Sequence, residues 1–189
     1  PVDVLIGRER TQASQVVKQA DVVALIALLP EEFSGAMAET NFRYYEPRCG
    51  HGSSLSPAMH ALVAARVGDT DMALSYLHDI VAFDPDPAAA GGVRIAGVGG
   101  IWQAIVMGFG GLDLSGDILG IEPKLPAHLR SLSYHVRWRG RLLAVRIAEA
   151  ALEVTLVEGG PIDIRMAGAT GRLTPGQTVR SSLRQGALV

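Results

Sequence analysis

Between Tyr44 and Pro57 the chain reads Tyr-Tyr-Glu-Pro-Arg-Cys-Gly-His-Gly-Ser-Ser-Leu-Ser-Pro, a polar, hydroxyl-rich stretch that runs into apolar residues at helical spacing. Ser53 and Ser54 are adjacent hydroxyls, His51 stands just ahead of them, and Gly50 and Gly52 let a ligand approach the backbone. The first amides of the following helix have no partner inside that helix, so the combination suits a phosphate oxygen or a sugar hydroxyl. The same residues also suit a helix cap, with Ser53 or Ser54 accepting from the first turn. On spacing alone the cap is the plainer reading.

The elements around this stretch are read from periodicity. From Thr11 to Leu29 the positions Val16, Val17, Ala20, Val23, Ala24 and Leu28 recur at helical spacing, and Pro30 ends the pattern. Lys18, Gln19 and Asp21 lie beside that stripe, as a solvated face would. Glu31 to Phe42 predicts a second, shorter helix, broken before Pro47. Ser54 to Val67 predicts a third, closed by Gly68 as its C-terminal cap, and Asp69-Thr70 restart a helix through Asp84. The two helices joined by Gly68-Asp69 are expected to be antiparallel neighbours.

A turn-rich loop, Asp84-Pro85-Asp86-Pro87 to Gly91-Gly92, then leads to Val93-Arg94-Ile95-Ala96-Gly97-Val98-Gly99-Gly100-Ile101-Trp102-Gln103 and an apolar helix ending near Phe109. The glycines are weak as a nucleotide motif, because no strand–helix–strand unit surrounds them; they suit a close approach of two backbones, or of a backbone and a ligand.

From Gly110 onward the pattern changes. Leu112 to Pro126 is turn-rich, and four strand-length runs follow: Leu132–Trp138, Leu142–Ile147, Ala151–Val157 and Ile162–Met166. Tyr134, Val136 and Trp138 share one face, with His135, Arg137 and Arg139 on the other, which predicts an antiparallel sheet or sandwich. The fold expected is therefore α+β and multidomain: helices over 1–111, a β domain over 112–178 and a loose tail over 179–189.

With 189 residues the chain can bury a sizeable core. Hydrophobic residues make up 48%, charged residues 19%, and the net charge is −2, which points away from disorder and from nucleic acid as a partner. The most apolar run, Val22 to Leu29, is too short to span a bilayer, so no membrane partner is expected. Cys49 is the only cysteine, which excludes an internal disulfide and agrees with a reducing cytoplasm.

With these pieces assembled, the sequence resembles family 65 of the glycoside hydrolases, which includes maltose, trehalose and kojibiose phosphorylases. The resemblance is carried by Val17-Lys18-Gln19-Ala20-Asp21-Val22, Asn41-Phe42-Arg43-Tyr44-Tyr45-Glu46-Pro47, His51-Gly52-Ser53-Ser54-Leu55-Ser56, Gly99-Gly100-Ile101-Trp102-Gln103-Ala104 and Arg137-Trp138-Arg139-Gly140-Arg141, in the family's order, over about residues 8 to 150. It implies the last helices of an (α/α)6 catalytic barrel followed by a small antiparallel β-sandwich domain. Such a barrel needs twelve helices and this chain has room for about five, so a fragment is expected. Its open apolar faces would be covered by self-association, giving a homo-oligomer, or by the rest of the barrel.

The resemblance also implies an inverting α-glucoside phosphorylase, with an α-linked disaccharide and inorganic phosphate as substrates and no cofactor or metal. A Glu general acid would protonate the leaving oxygen while phosphate attacks the anomeric carbon. Since phosphate is already an anion, the protein need supply donors and positioning only. The same resemblance implies that Lys18 and Gln19 bind sugar hydroxyls and that His51, Ser53, Ser54, Arg94 and Gly99 bind phosphate, with the His51 to Pro57 loop across a cleft from Lys18, Gln19 and Arg94.

Two departures stand out. The family's general acid lies upstream of the lysine–glutamine pair, so no catalytic residue is assigned in this chain, and Glu46 does not match its position. Arg94 stands where the compared phosphorylases carry histidine, and Gly97 where they often carry serine. Arginine's planar fork can hold phosphate, or the change can mark another acceptor or a hydrolase. A hydrolase of the same family, or a non-catalytic carbohydrate-binding or interaction fragment, are the alternatives.

Overall fold

The computed structural model describes residues 5–50, 55–82, 95–148 and 150–183. The chain divides into two compact units, Pro1–Phe109 and Gly110–Val189.

In the first unit, α1 is Arg8–Gln12, α2 Asp21–Leu28, α3 Gly35–Tyr45, α4 Leu55–Val67, α5 Thr70–Ala82 and α6 Ile95–Gln103; α6 runs on as a π-helical segment, Ala104–Phe109. The long helix expected from Thr11 to Leu29 does not form; it is two helices with an irregular stretch between them. The cause is local. The Ser14 hydroxyl donates to the Thr11 carbonyl at 2.8 Å and accepts the Val16 amide at 3.2 Å, giving the backbone an alternative to the helical ladder. The β-branched Val16-Val17 then extend, and Val17 forms a parallel bridge with Cys49. The second helix also shifts, starting at Gly35 and carrying through to Tyr45.

Helix α4 is buried on every side from Ser56 to Ala65, and α2, α3, α5, α6 and the π-helical segment all pack on it. Small residues permit the close approach. A Cβ at Gly100 would collide with the Ala58 methyl, and one at Gly108 would meet the Ala65 methyl at 2.9 Å. Ala58 pairs with Gly100 and Ala65 with Gly108, so α4 and the α6 segment run parallel. The wider π turns give the second partner one more residue for the same advance along α4.

The link from α4 to α5 closes as expected. Gly68 takes φ +94°, its amide donates to the Ala65 carbonyl and that of Asp69 to Ala64, the paired bonds of a left-handed helix end. The Asp69 carboxylate then accepts the Met72 amide at 3.1 Å and the Arg43 guanidinium at 2.6 Å, tying α3 to the start of α5. The hydrogen bond from Arg43 holds the Asp69 carboxyl below the ordinary carboxylate range. With the folded-state value below the unfolded one, this contribution is present above the ordinary aspartate pKa, about 3.9, and is lost as pH falls through the folded-state value. Asp69→Asn keeps an oxygen for Met72 and loses the ion pair. We therefore expect wild type to be the more stable at neutral pH in urea unfolding and the difference to shrink toward zero in acid; a pH-independent difference would contradict the assignment.

Among the described residues the second unit holds eight strands: β1 Leu112–Asp113, β2 Leu119–Ile121, β3 Ser131–Trp138, β4 Arg141–Ala148, β5 Ala151–Glu158, β6 Ile162–Met166, β7 Ala169–Leu173 and β8 Thr178–Ser182. They form two four-stranded sheets, ordered β1-β2-β6-β7 and β3-β4-β5-β8. All neighbours are antiparallel except β2 and β6, which run parallel. The alternation expected on β3 is present, with Tyr134 and Val136 buried and His135 and Arg137 exposed. The tail expected from Val179 is a strand as far as Ser182: Thr178 to Ser182 pair with β5, satisfying what would otherwise be an open edge. The turn-rich reading of Leu112 to Pro126 likewise missed β1 and β2, which are too short to show periodicity. The Tyr134 hydroxyl donates to the Gly110 carbonyl at 3.2 Å, and burial raises the phenol's pKa, keeping it a donor through the working pH range.

Candidate active site

The break between α1 and α2 carries the first pair of candidate residues. The Val17 amide donates to the Arg48 carbonyl at 2.8 Å, and the Gly50 amide donates to the Val17 carbonyl at 2.7 Å. Lys18 and Gln19 follow directly, exposed, in a bend that the Asp21 amide closes on the Gln19 carbonyl. They are therefore not on the helix that periodicity predicted. Two backbone hydrogen bonds set them beside Cys49-Gly50, the residues that lead into His51 in the chain.

The other strand of that bridge is held from below. After α3 a 3₁₀ turn, Glu46–Arg48, redirects the chain, with Pro47 early in it. Arg48 lies over the Tyr44 ring at 3.9 Å and donates to the Tyr44 carbonyl at 2.5 Å and to the Gln15 side chain at 3.3 Å. Glu46 accepts from the Tyr76 hydroxyl at 2.5 Å, which ties α5 to the turn. Burial, and then the bond to Glu46, push the Tyr76 phenol well above its ordinary pKa, so it stays protonated as the donor. Cys49 Sγ lies 3.5 Å from Ser56 Oγ, so the chain leaves this point and re-enters α4 at nearly the same place. One turn into α4, the buried His60 ring places Nδ1 2.8 Å from the Ser56 carbonyl and sits between the rings of Phe42 and Tyr76, with centroids at 6.0 and 5.1 Å.

Of the expected phosphate residues, His51, Ser53, Ser54 and Arg94 lie outside the described residues. Gly99 is described: it is exposed on α6, and a Cβ there would meet nothing within 4 Å. Its neighbour Gly100 faces α4, close to Leu55 and Ala58 in the first turn. The structure thus brings Lys18 and Gln19 to the residues before His51, and the Gly99-Gly100 pair to the residues after Ser54.

The two glycines separate packing from ligand approach. Gly100→Ala is expected to destabilise the helical unit by about 1–3 kcal/mol through overpacking, measured by thermal unfolding. Gly99→Ala, exposed on the same helix with room for a Cβ, is expected to leave the unit at least as stable as wild type.

Periodicity missed Glu46, Tyr76, Cys49 and Ser56 as supports. The usable signal was Pro47, which forces a change of direction just where Glu46 meets Tyr76 and Arg48 meets Tyr44 and Gln15. Among the described residues, no group of three or more His, Cys, Asp or Glu side chains could hold a metal ion.

This arrangement of a helical unit followed by two sheets agrees with comparison to known proteins. The model of the glycosyl hydrolase family 65 central catalytic domain matches residues 4–103, and that of the family's C-terminal domain matches residues 112–173. The chain belongs to glycosyl hydrolase family 65. It is 40% identical over 148 residues to kojibiose phosphorylase of Halothermothrix orenii, an overlap of 77% of this chain and 19% of that protein. With α,α-trehalose phosphorylase of Thermoanaerobacter brockii it shares 37% over 153 residues, 79% of this chain and 20% of the relative. A solved structure described as a kojibiose phosphorylase from the human microbiome superposes with a TM-score of 0.86 at 25% identity, covering 100% of this chain and 28% of that one. The chain thus spans about a fifth of the length of these two relatives. No helix among the described residues is long and apolar enough to cross a membrane.

Proposed function

We propose that the chain forms the sugar- and phosphate-facing part of an inverting α-glucoside phosphorylase acting on an α-linked disaccharide, its helices being the last of an (α/α)6 barrel. The observation that supports this reading best is the Val17–Cys49 bridge, which sets the Lys18-Gln19 bend against the residues leading into His51. In this reading Lys18 and Gln19 hold sugar hydroxyls. His51, Ser53, Ser54, Arg94 and the open backbone at Gly99 receive phosphate.

The step is a displacement. A phosphate oxygen bonds to the anomeric carbon, the glycosidic C–O bond breaks, and its electron pair takes a proton from a carboxylic acid outside these 189 residues. The products are a β-configured sugar phosphate and the free acceptor sugar. The chain's own residues supply charge-assisted donors for phosphate and orientation for the sugar. No cofactor enters, and the protein works in the cytoplasm as a homo-oligomer.

The full-length protein is expected to release β-sugar phosphate from an α-linked disaccharide only when phosphate is present. Equal rates of disaccharide cleavage with and without phosphate would replace this reading with hydrolysis. Multi-angle light scattering tests the assembly, a monomer at high concentration counting against it.

A further inference from the structure

The second unit has a groove of about 380 Å³, lined by Arg130, Arg146, Ala148, Ala150, Ala151, Glu153 and Arg180. We propose that this groove of the second unit binds a phosphorylated monosaccharide.

Strand register builds the charged wall. Arg146 on β4 is opposite Glu153 on β5, and Glu153 is opposite Arg180 on β8, so the three side chains form one cross-strand row on the same face. Arg146 Nη1 lies 3.8 Å from Glu153 Oε2 and Arg180 Nε lies 3.7 Å from Glu153 Oε1. Both separations exceed hydrogen-bond length, so Glu153 orients two guanidiniums by charge while their N–H donors stay available. Arg130, just ahead of β3, adds a third. The described side chains lining the groove thus carry three positive charges against one negative, an excess of cation in a concave place that draws anions.

The size and floor narrow the ligand. The volume lies within the range of small-molecule sites, about 300–1,000 Å³, so a bare oxyanion leaves most of it empty. Ala148, Ala150 and Ala151 offer a small apolar floor for the C–H face of a sugar ring, with the arginines placed to fork onto its phosphate.

Glucose 6-phosphate is a suitable probe, because its phosphate is not on the anomeric carbon and it is not the product of the proposed phosphorolysis. In isothermal titration of the full-length protein, glucose 6-phosphate is expected to bind more tightly than inorganic phosphate. Glucose should not displace the bound probe, and affinity should fall as salt is raised. Arg130→Gln and Arg180→Gln are each expected to weaken binding about tenfold, while Lys18→Met leaves it unchanged. Melting temperatures of both arginine variants should stay at wild type, since Arg180 is 70% exposed and Arg130 is also at the surface. The proposal is overturned if glucose 6-phosphate does not bind, if inorganic phosphate displaces it at equal concentration, or if the arginine variants bind as wild type does. Loss of binding in Lys18→Met would also overturn it, by moving the site to the helical unit. A failure of phosphorolysis leaves this result untouched, because neither the groove nor the probe depends on it.

Discussion

Lys18→Met in the full-length protein is expected to lower kcat/KM for the disaccharide by about 100-fold, with the melting temperature unchanged. The size follows from chemistry: a hydrogen bond from a charged donor to a neutral sugar hydroxyl is worth about 1.5–3 kcal/mol, and each 1.4 kcal/mol is a factor of ten. The unchanged stability follows from structure. Lys18 is exposed, sits in a bend rather than a helix, and is held in place by the backbone bonds of Val17. Gln19→Ala is expected to act in the same direction but by about tenfold, because a neutral amide makes the weaker bond. Initial-rate kinetics at varied disaccharide and fixed saturating phosphate check both variants. If both retain wild-type kcat/KM, the bend is only a solvated turn and the sugar site lies elsewhere.

The second large effect is on folding. Gly111 takes φ +64°, and a Cβ built there would run into the Glu122 carbonyl group and the Pro123 nitrogen, all backbone atoms that no rotamer change can move. The same glycine accepts the Glu122 amide at 2.9 Å, so the two segments cannot part without losing that bond. Left-handed backbone costs a non-glycine residue about 1–2 kcal/mol and overpacking about 1–3 kcal/mol. Gly111→Ala is therefore expected to destabilise the second unit by about 3 kcal/mol. Thermal or urea unfolding followed by near-UV circular dichroism, with Trp138 as a local probe, checks this. A wild-type midpoint would show that the turn relaxes without cost.

These two residues also show what sequence patterns convey and what they miss. The change from helical to strand periodicity near residue 110 was legible because each run is long enough to display its period, and the long strands β3, β4 and β5 follow the alternation read from them. Gly68 was legible as a helix end because its neighbours complete a local motif. The break at Ser14 to Gln19 was not. Val16 and Val17 fit a helical stripe, and nothing nearby in sequence announces that Val17 pairs with Cys49 instead. Strand β8 was hidden for a related reason, since Thr178 to Ser182 have little apolar character and become a strand only because β5 offers them an edge. Of the candidate site, residue types and order were readable from the resemblance. The bridge that sets Lys18 and Gln19 beside Cys49-Gly50, and the supports at Glu46 and Tyr76, come from long-range contacts that no local window contains.

The bridge has a consequence for the order in which the site is built. Joining Val17 to Cys49 closes a loop of about thirty residues, at an entropic cost of about 3 kcal/mol beyond a constant. Its two backbone hydrogen bonds return only about 1–3 kcal/mol together. The pinch therefore cannot close on its own account; it closes because α2 and α3, inside that loop, have already packed on α4 through Val23, Ile26, Ala27, Ala38 and Phe42. The Lys18-Gln19 bend is thus a late and dependent piece of the fold. Losses in the α2–α3 core are therefore expected to open it before the helical unit as a whole unfolds.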